Sequence, residues 1–196
     1  MCGRVQLDLE IGGPAMRRLT ELLLQIDPGY SLTSGEKFPS EVLPVLRAEA
    51  GETKPRPALM QWGFKMSKAG QSDKLIINAR AETAADKPMF RQALAQRRCV
   101  LATTGFYEWT HDAAKTKYLF RLPDRPMLYL AGLFSVNQER PSFVVLTQEA
   151  NASMLEVHQR MPVILGQNEL GAWLYDNDVA TQLLRRTGPE LTKQEA

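Results

Sequence analysis

The chain has 196 residues, 44% of them hydrophobic, enough for one substantial core and a single domain. Its 24 basic and 22 acidic residues leave a formal charge of +2, which excludes a protein that coats nucleic acid through bulk charge; any nucleic-acid site has to be a local cluster. No apolar run approaches the ~18 residues of a membrane helix, and Gln6, Asp8 and Glu10 interrupt the start, so a cytoplasmic monomer with no membrane contact is expected.

Cys2 is the first residue with distinctive chemistry. Loss of Met1 would leave a thiol and a free α-amine on one residue. Such an aminothiol condenses with an aldehyde to an imine, and the adjacent sulfur closes that imine to a five-membered thiazolidine. The amine titrates near pH ~8 and the thiol near ~8.5, so a neighbouring acid or base can bring both into reactive form. The plain alternative is a cysteine in a frayed start.

From Pro14 to Ile26, Met16, Leu19, Leu22, Leu23 and Ile26 share one face at helical spacing, and Gly12-Gly13 and Pro28-Gly29 bound the helix. Residues 31–40 read as a surface loop. Short apolar or alternating runs at 42–46, 58–62, 75–78, 99–103, 117–122, 127–134 and 143–147 predict strands. Asp86 ahead of Lys87-Pro88 opens a helix to about residue 96, and further helices are expected over 149–157, 168–175 and 179–186. The strands cluster without a helix after each. The expected class is therefore α+β: mostly antiparallel sheets forming a barrel-like core with flanking helices, over residues 1–186, with 187–196 a polar tail.

Two cysteines, Cys2 and Cys99, make neither a disulfide framework nor a four-ligand metal site, and His111 and His158 have no HExxH or cysteine-pair partner. No metal and no cofactor are expected. Cys99 reads as a buried small hydrophobe and His111, in a Thr-His-Asp stretch, as a turn residue.

Four segments place polar residues where a strand or its end would otherwise be apolar: Cys2-Gly3-Arg4, Asn78-Ala79-Arg80-Ala81-Glu82-Thr83, Gly105-Phe106-Tyr107-Glu108-Trp109 and His158-Gln159-Arg160-Met161-Pro162. Their identity and order resemble the SRAP family, the SOS response-associated peptidases, from Cys2 to about Leu174. The resemblance implies that the N-terminal cysteine, freed of Met1, cross-links to the ring-opened aldehyde of an abasic site in single-stranded DNA. It implies Cys2 as the reactive residue, Asn78 beside the sugar, Glu108 as proton shuttle and His158 near the sugar hydroxyl and 3′ phosphate. Arg4, Arg80 and Arg160 then bind backbone phosphates.

Elementary chemistry bears on each assignment. Glu108 sits on an aromatic stretch where loss of water would favour a carboxyl able to give and take a proton; the alternative is a solvent-facing edge residue. Asn78 offers a donor and an acceptor without changing charge, or simply ends its strand. His158 can act as acid or base near neutrality. Trp62 either stacks on a base or packs in the core. Glu82, two residues after Arg80, would share a face with it and pair with it if one strand continued through both. The family's Trp-Gly-Leu-x-Pro-x-Trp stretch survives here only as Trp62-Gly63, and Pro39 is the remnant of its Asn-x-Ala-Pro element; Trp62 and Pro39 are expected with the three arginines among the DNA-binding residues. A self-processing N-terminal-nucleophile cysteine peptidase is one alternative function, and a noncovalent single-strand-binding module is another.

Overall fold

The computed structural model describes residues 2–49, 52–66, 72–136 and 140–196; Met1, whose loss the sequence reading requires, lies outside them. In chain order the elements are β1 (Val5–Leu7), α1 (Gly13–Ile26), β2 (Gly35–Lys37), β3 (Val42–Arg47), β4 (Arg56–Trp62), β5 (Phe64–Met66), β6 (Lys74–Ile76) and β7 (Asn78–Arg80). They continue as α2 (Pro88–Gln96), β8 (Arg98–Thr103), β9 (Gly105–Trp109), β10 (Lys117–Arg121), β11 (Leu128–Ser135), β12 (Ser142–Glu149), α3 (Ala152–Leu155), β13 (Arg160–Pro162), β14 (Ile164–Leu165), α4 (Leu170–Tyr175), α5 (Asn177–Leu183) and β15 (Thr192–Glu195).

Five strands pair around a ring in the order β12-β4-β3-β8-β11 and back to β12, antiparallel except for the β12–β4 step. A second sheet runs β15-β10-β9-β1-β2. The expected α+β class with mostly antiparallel, barrel-like sheets is what forms. Both faces of the ring strands are covered, which explains their nearly continuous apolar runs. Along β8, Val100 and Ala102 face the layer of α1, α2, α4 and α5, while Cys99 and Leu101 face Phe106, Phe120 and Val5 of the second sheet. Cys99 is fully buried, as expected of a small hydrophobe.

Three differences from the sequence reading bear on function. The single strand expected over 75–78 divides into β6, which pairs with β5, and β7, which runs parallel to β12 with Asn78 opposite Val145. The polar stretch expected as a tail supplies β15, paired with β10 from Tyr118↔Glu195 to Arg121↔Thr192, and Leu191 just before it is buried. A strand whose own residues are all exposed leaves almost no hydrophobic pattern to read. Finally, the helix expected over 149–157 is only four residues long, because Glu149 still belongs to β12.

Gly63 separates Trp62, which packs with the second sheet, from Phe64, which packs under the helices. Its φ of 118° suits glycine, and an added Cβ would lie 2.7 Å from the Leu75 side chain.

Candidate active site

The second sheet brings the chain's start to the third motif. Val5 pairs with Phe106 and Gln6 with Gly105, and the Tyr107 N–H donates to the Arg4 carbonyl at 2.9 Å. Continuing this antiparallel course carries residues 2 and 3 alongside Glu108. At the corner between β8 and β9, the hydroxyls of Thr103 and Thr104 donate to the Gln6 carbonyl at 2.5 and 2.9 Å and pin β1 there.

Cys2 is 1% exposed, within the cluster that also holds Val5, Phe106 and Phe143. Burial, and then the Glu108 carboxylate, push its thiol well above the ordinary cysteine range, against a weaker opposing pull from the Arg4 backbone N–H. The Asn78 side-chain amide donates to the Cys2 carbonyl at 2.9 Å. Its Oδ1 is buried and has no hydrogen-bond partner among the described residues. An unmatched buried acceptor typically costs about 1–3 kcal/mol, and here it marks a point where an incoming donor would be held.

Glu108 is 4% exposed, on the inward face of β9. Its charge acts on both Cys2 and His158, so the carboxylate sits between thiol and imidazole in electrostatic terms. His158 follows α3 and is half-buried; its Nδ1 lies 2.8 Å from the Arg160 backbone nitrogen and 3.1 Å from the Arg160 carbonyl oxygen. Burial depresses its proton affinity and Glu108 opposes that. The ring of His111 lies against it with centroids 4.9 Å apart. Cys2, Asn78, Glu108 and His158, drawn from four separate parts of the sequence, are thus brought together.

The three arginines are not equivalent. Arg160 forks onto Glu82, with Nη1 to Oε1 at 2.7 Å and Nη2 to Oε2 at 2.8 Å, and Nη2 also donates to the Thr147 carbonyl at 2.6 Å. Those bonds hold the Glu82 carboxyl below the usual range. Glu82 therefore pairs with Arg160 and not with Arg80, because β7 ends at Arg80 and a 3-10 turn over Ala81–Thr83 swings Glu82 off the strand. Arg4 is shared: Nη1 meets Glu36 Oε2 at 3.3 Å, and its guanidinium lies 4.3 Å from the Phe38 ring centroid and 4.9 Å from that of Trp109. Arg80 is exposed and has no ion-pair partner among the described residues.

Trp62 is 0% exposed, stacked on Phe143, and donates from Nε1 to the Ile77 carbonyl at 3.1 Å. No face of it is open to a base, so the stacking role is corrected to one of support: it fixes the residue before Asn78. Pro39 lies partly exposed in the turn closed by Glu41, whose carboxylate accepts the Phe38 N–H at 2.8 Å.

Sequence reading missed the outer face of the second sheet. There Glu36 bridges Arg4 and Lys117, and the Lys117 ammonium stands 4.2 Å from the Tyr107 ring centroid and 5.9 Å from that of Trp109. The alternation Tyr107-Glu108-Trp109 is the one signal that could have found it, since a strand with Glu108 inward must turn both aromatic neighbours outward. A cavity of about 1090 Å³, lined by Tyr129, Leu165, Glu169 and Arg186 among others, contains none of the four reactive-group residues. No helix among the described residues is long and apolar enough to cross a membrane.

Residues 1–195 match the family model described as SOS response associated peptidase (SRAP). The chain is 31% identical over 201 residues to the abasic site processing protein YoaM of Bacillus subtilis, covering 94% of this chain and 84% of that one. It is 27% identical over 156 residues to the abasic site processing protein HMCES of Xenopus tropicalis, with 64% and 47% covered. A crystal structure of a protein from Bordetella bronchiseptica superposes with a TM-score of 0.74 at 22% identity over 100% of this chain and 99% of that one, which shows the shared fold. The chain belongs to the SRAP family.

Proposed function

We propose that this SRAP-family chain captures abasic sites in single-stranded DNA through Cys2 after losing Met1. The α-amine of Cys2 adds to the aldehyde of the ring-opened sugar to give a carbinolamine, which expels water to leave an imine. The thiol then adds across the C=N bond, its proton passing to the nitrogen, and the thiazolidine is closed. Glu108 supplies and recovers protons in both stages, since dehydration needs an acid where the first addition needs a base. Asn78 holds the Cys2 carbonyl and presents Oδ1 toward the reacting end, and His158 serves the sugar hydroxyl from Nε2.

The observation that carries this proposal is the convergence at Cys2 of the Asn78 hydrogen bond and the Glu108 charge. Abasic-site processing is also what the names of the relatives state. A buried, protonated thiol suits a mechanism in which the amine attacks first. It suits poorly an N-terminal-nucleophile peptidase, the alternative that the family description raises, in which a thiolate must attack an amide. Strand binding then falls to Arg80 and, with Glu36 displaced, to Arg4; Arg160 acts through Glu82 to hold the segment that bears His158. Incubation with an abasic oligonucleotide, followed by a denaturing gel, tests the proposal: a denaturant-resistant adduct is expected, and cleavage of peptides with no adduct overturns it.

A further inference from the structure

The chain has two histidines, and the fold brings both to one place. His158 belongs to the reactive group described above. His111 lies on the exposed turn between β9 and β10, where nothing in the sequence singles it out. Yet its ring meets that of His158 with centroids 4.9 Å apart and planes inclined by 47°.

The turn that carries His111 is closed by its own hydrogen bonds. The Thr110 hydroxyl donates to Asp112 Oδ1 at 2.7 Å and the Lys115 N–H to the same oxygen at 3.1 Å. The Thr116 N–H reaches the Thr110 hydroxyl at 2.9 Å, and the Thr110 N–H reaches the Thr116 carbonyl at 3.0 Å. His158 is fixed from its own side by the Arg160 N–H on Nδ1. Two imidazoles in contact at this distance repel when both are charged, so protonation of one disfavours protonation of the other.

Glu108 faces His158 from β9, and Cys2 contributes its thiol and, once Met1 is removed, its α-amine. The Arg160 guanidinium is turned away onto Glu82, and the Asp112 carboxylate is engaged within the turn. His158 is the half-buried member and His111 the exposed one, so solvation decides which ring takes a proton first.

We propose that His111 is a positioning residue of the site: on acidification through the ordinary histidine range the pair takes up one proton, carried by His111, and His158 stays neutral. A neutral His158 adds no positive charge to a site whose chemistry starts from an uncharged amine. The functional consequence rests on the aldehyde-capture mechanism; the coupling itself does not.

The test is an NMR titration of the ring C–H signals, two histidines in all, assigned with His111→Gln. In the wild type, His111 should titrate first and His158 at lower pH, each curve inflecting where the other ring gains its proton. In His111→Gln the inflection should vanish and the His158 midpoint should move up; in His158→Gln the His111 curve should lose its inflection while its midpoint stays in place, because His158 is neutral when His111 takes its proton. The acid limb of the pH–rate profile for adduct formation should shift to higher pH in His111→Gln, whereas a merely structural turn defect would lower the rate evenly at all pH values. An unchanged His158 midpoint in His111→Gln overturns the proposal. If the wild type forms no adduct with an abasic oligonucleotide, aldehyde capture is overturned, and the titration still decides the pairing on its own.

Discussion

Strand β9 has two faces that differ in almost every physical respect. Inward, Glu108 shares a buried corner with Cys2, where charge is strongly felt. Outward, Tyr107 and Trp109 lie beneath Lys117 and Arg4, which Glu36 bridges at the sheet surface. In the proposed function the buried side serves covalent chemistry, where low dielectric makes each group's charge state consequential. The outer side is arranged for contact, where solvent screens each pair and only the sum matters. Substitutions on the inner face should therefore act on rate with little effect on affinity, and those at Arg4 and Arg80 should do the reverse.

The largest effect is expected at Cys2. Cys2→Ala should abolish the denaturant-resistant adduct while leaving salt-sensitive binding of single strands intact, as read by a denaturing gel beside a filter or anisotropy assay. Adduct at the wild-type level would remove Cys2 from the mechanism. Since burial and Glu108 both hold the thiol protonated, its alkylation at pH 7 to 8 should also be much slower than that of free cysteine, and should rise only as pH climbs beyond the ordinary cysteine range.

Glu108→Gln comes next, because it keeps shape and removes proton transfer. Adduct formation should slow by about 10²-fold or more at unchanged affinity for undamaged strands. An unaltered rate would assign the proton shuttle elsewhere and blur the division between the two faces.

Much of the inner face was legible from sequence, and little of the outer. Cys2, Asn78, Glu108 and His158 stand out because each is polar where a strand or its end should be apolar, a contrast visible without coordinates. Glu36 and Lys117 interrupt nothing: they are ordinary charges on short strands, and their meeting depends on β2 and β10 lying on opposite sides of the β1–β9 pair. Trp62 shows the reverse error. Its indole is an equally good platform for a base or for Phe143, and only the closure of β4 onto β12 decides which. Glu82 went to the wrong arginine because two-residue spacing implies a shared face only while the strand persists, and β7 stops at Arg80.

Among the arginines, Arg80→Ala should cost the most affinity for undamaged single strands. Exposed and without an ion pair among the described residues, it has its charge available to a phosphate; its removal should flatten the dependence of log K on log salt by about 0.7. Arg160→Ala should show instead as a loss of thermal stability, since Glu82 and the Thr147 carbonyl lose their partner. If Arg160→Ala flattened the salt dependence and Arg80→Ala did not, the two roles would have to be exchanged.

Glu36→Gln is the subtlest variant and the one that bears most directly on the outer face. Glu36 holds Arg4 at 3.3 Å and also contacts Lys117, so a phosphate that uses either cation has to displace a carboxylate. Neutralising that carboxylate while keeping its shape frees both cations from competition but leaves Phe38, Tyr107 and Trp109 beneath them. In a Cys2→Ala background, where binding is reversible, affinity should rise a few-fold at low salt, the salt dependence should steepen, and the gain should fade as added salt screens the newly freed charge. Affinity that falls instead would mean that Glu36 organises Arg4 and Lys117 for the strand. In that case the outer face is a preformed surface whose ion pairs survive binding, and its difference from the inner face lies in solvent exposure alone.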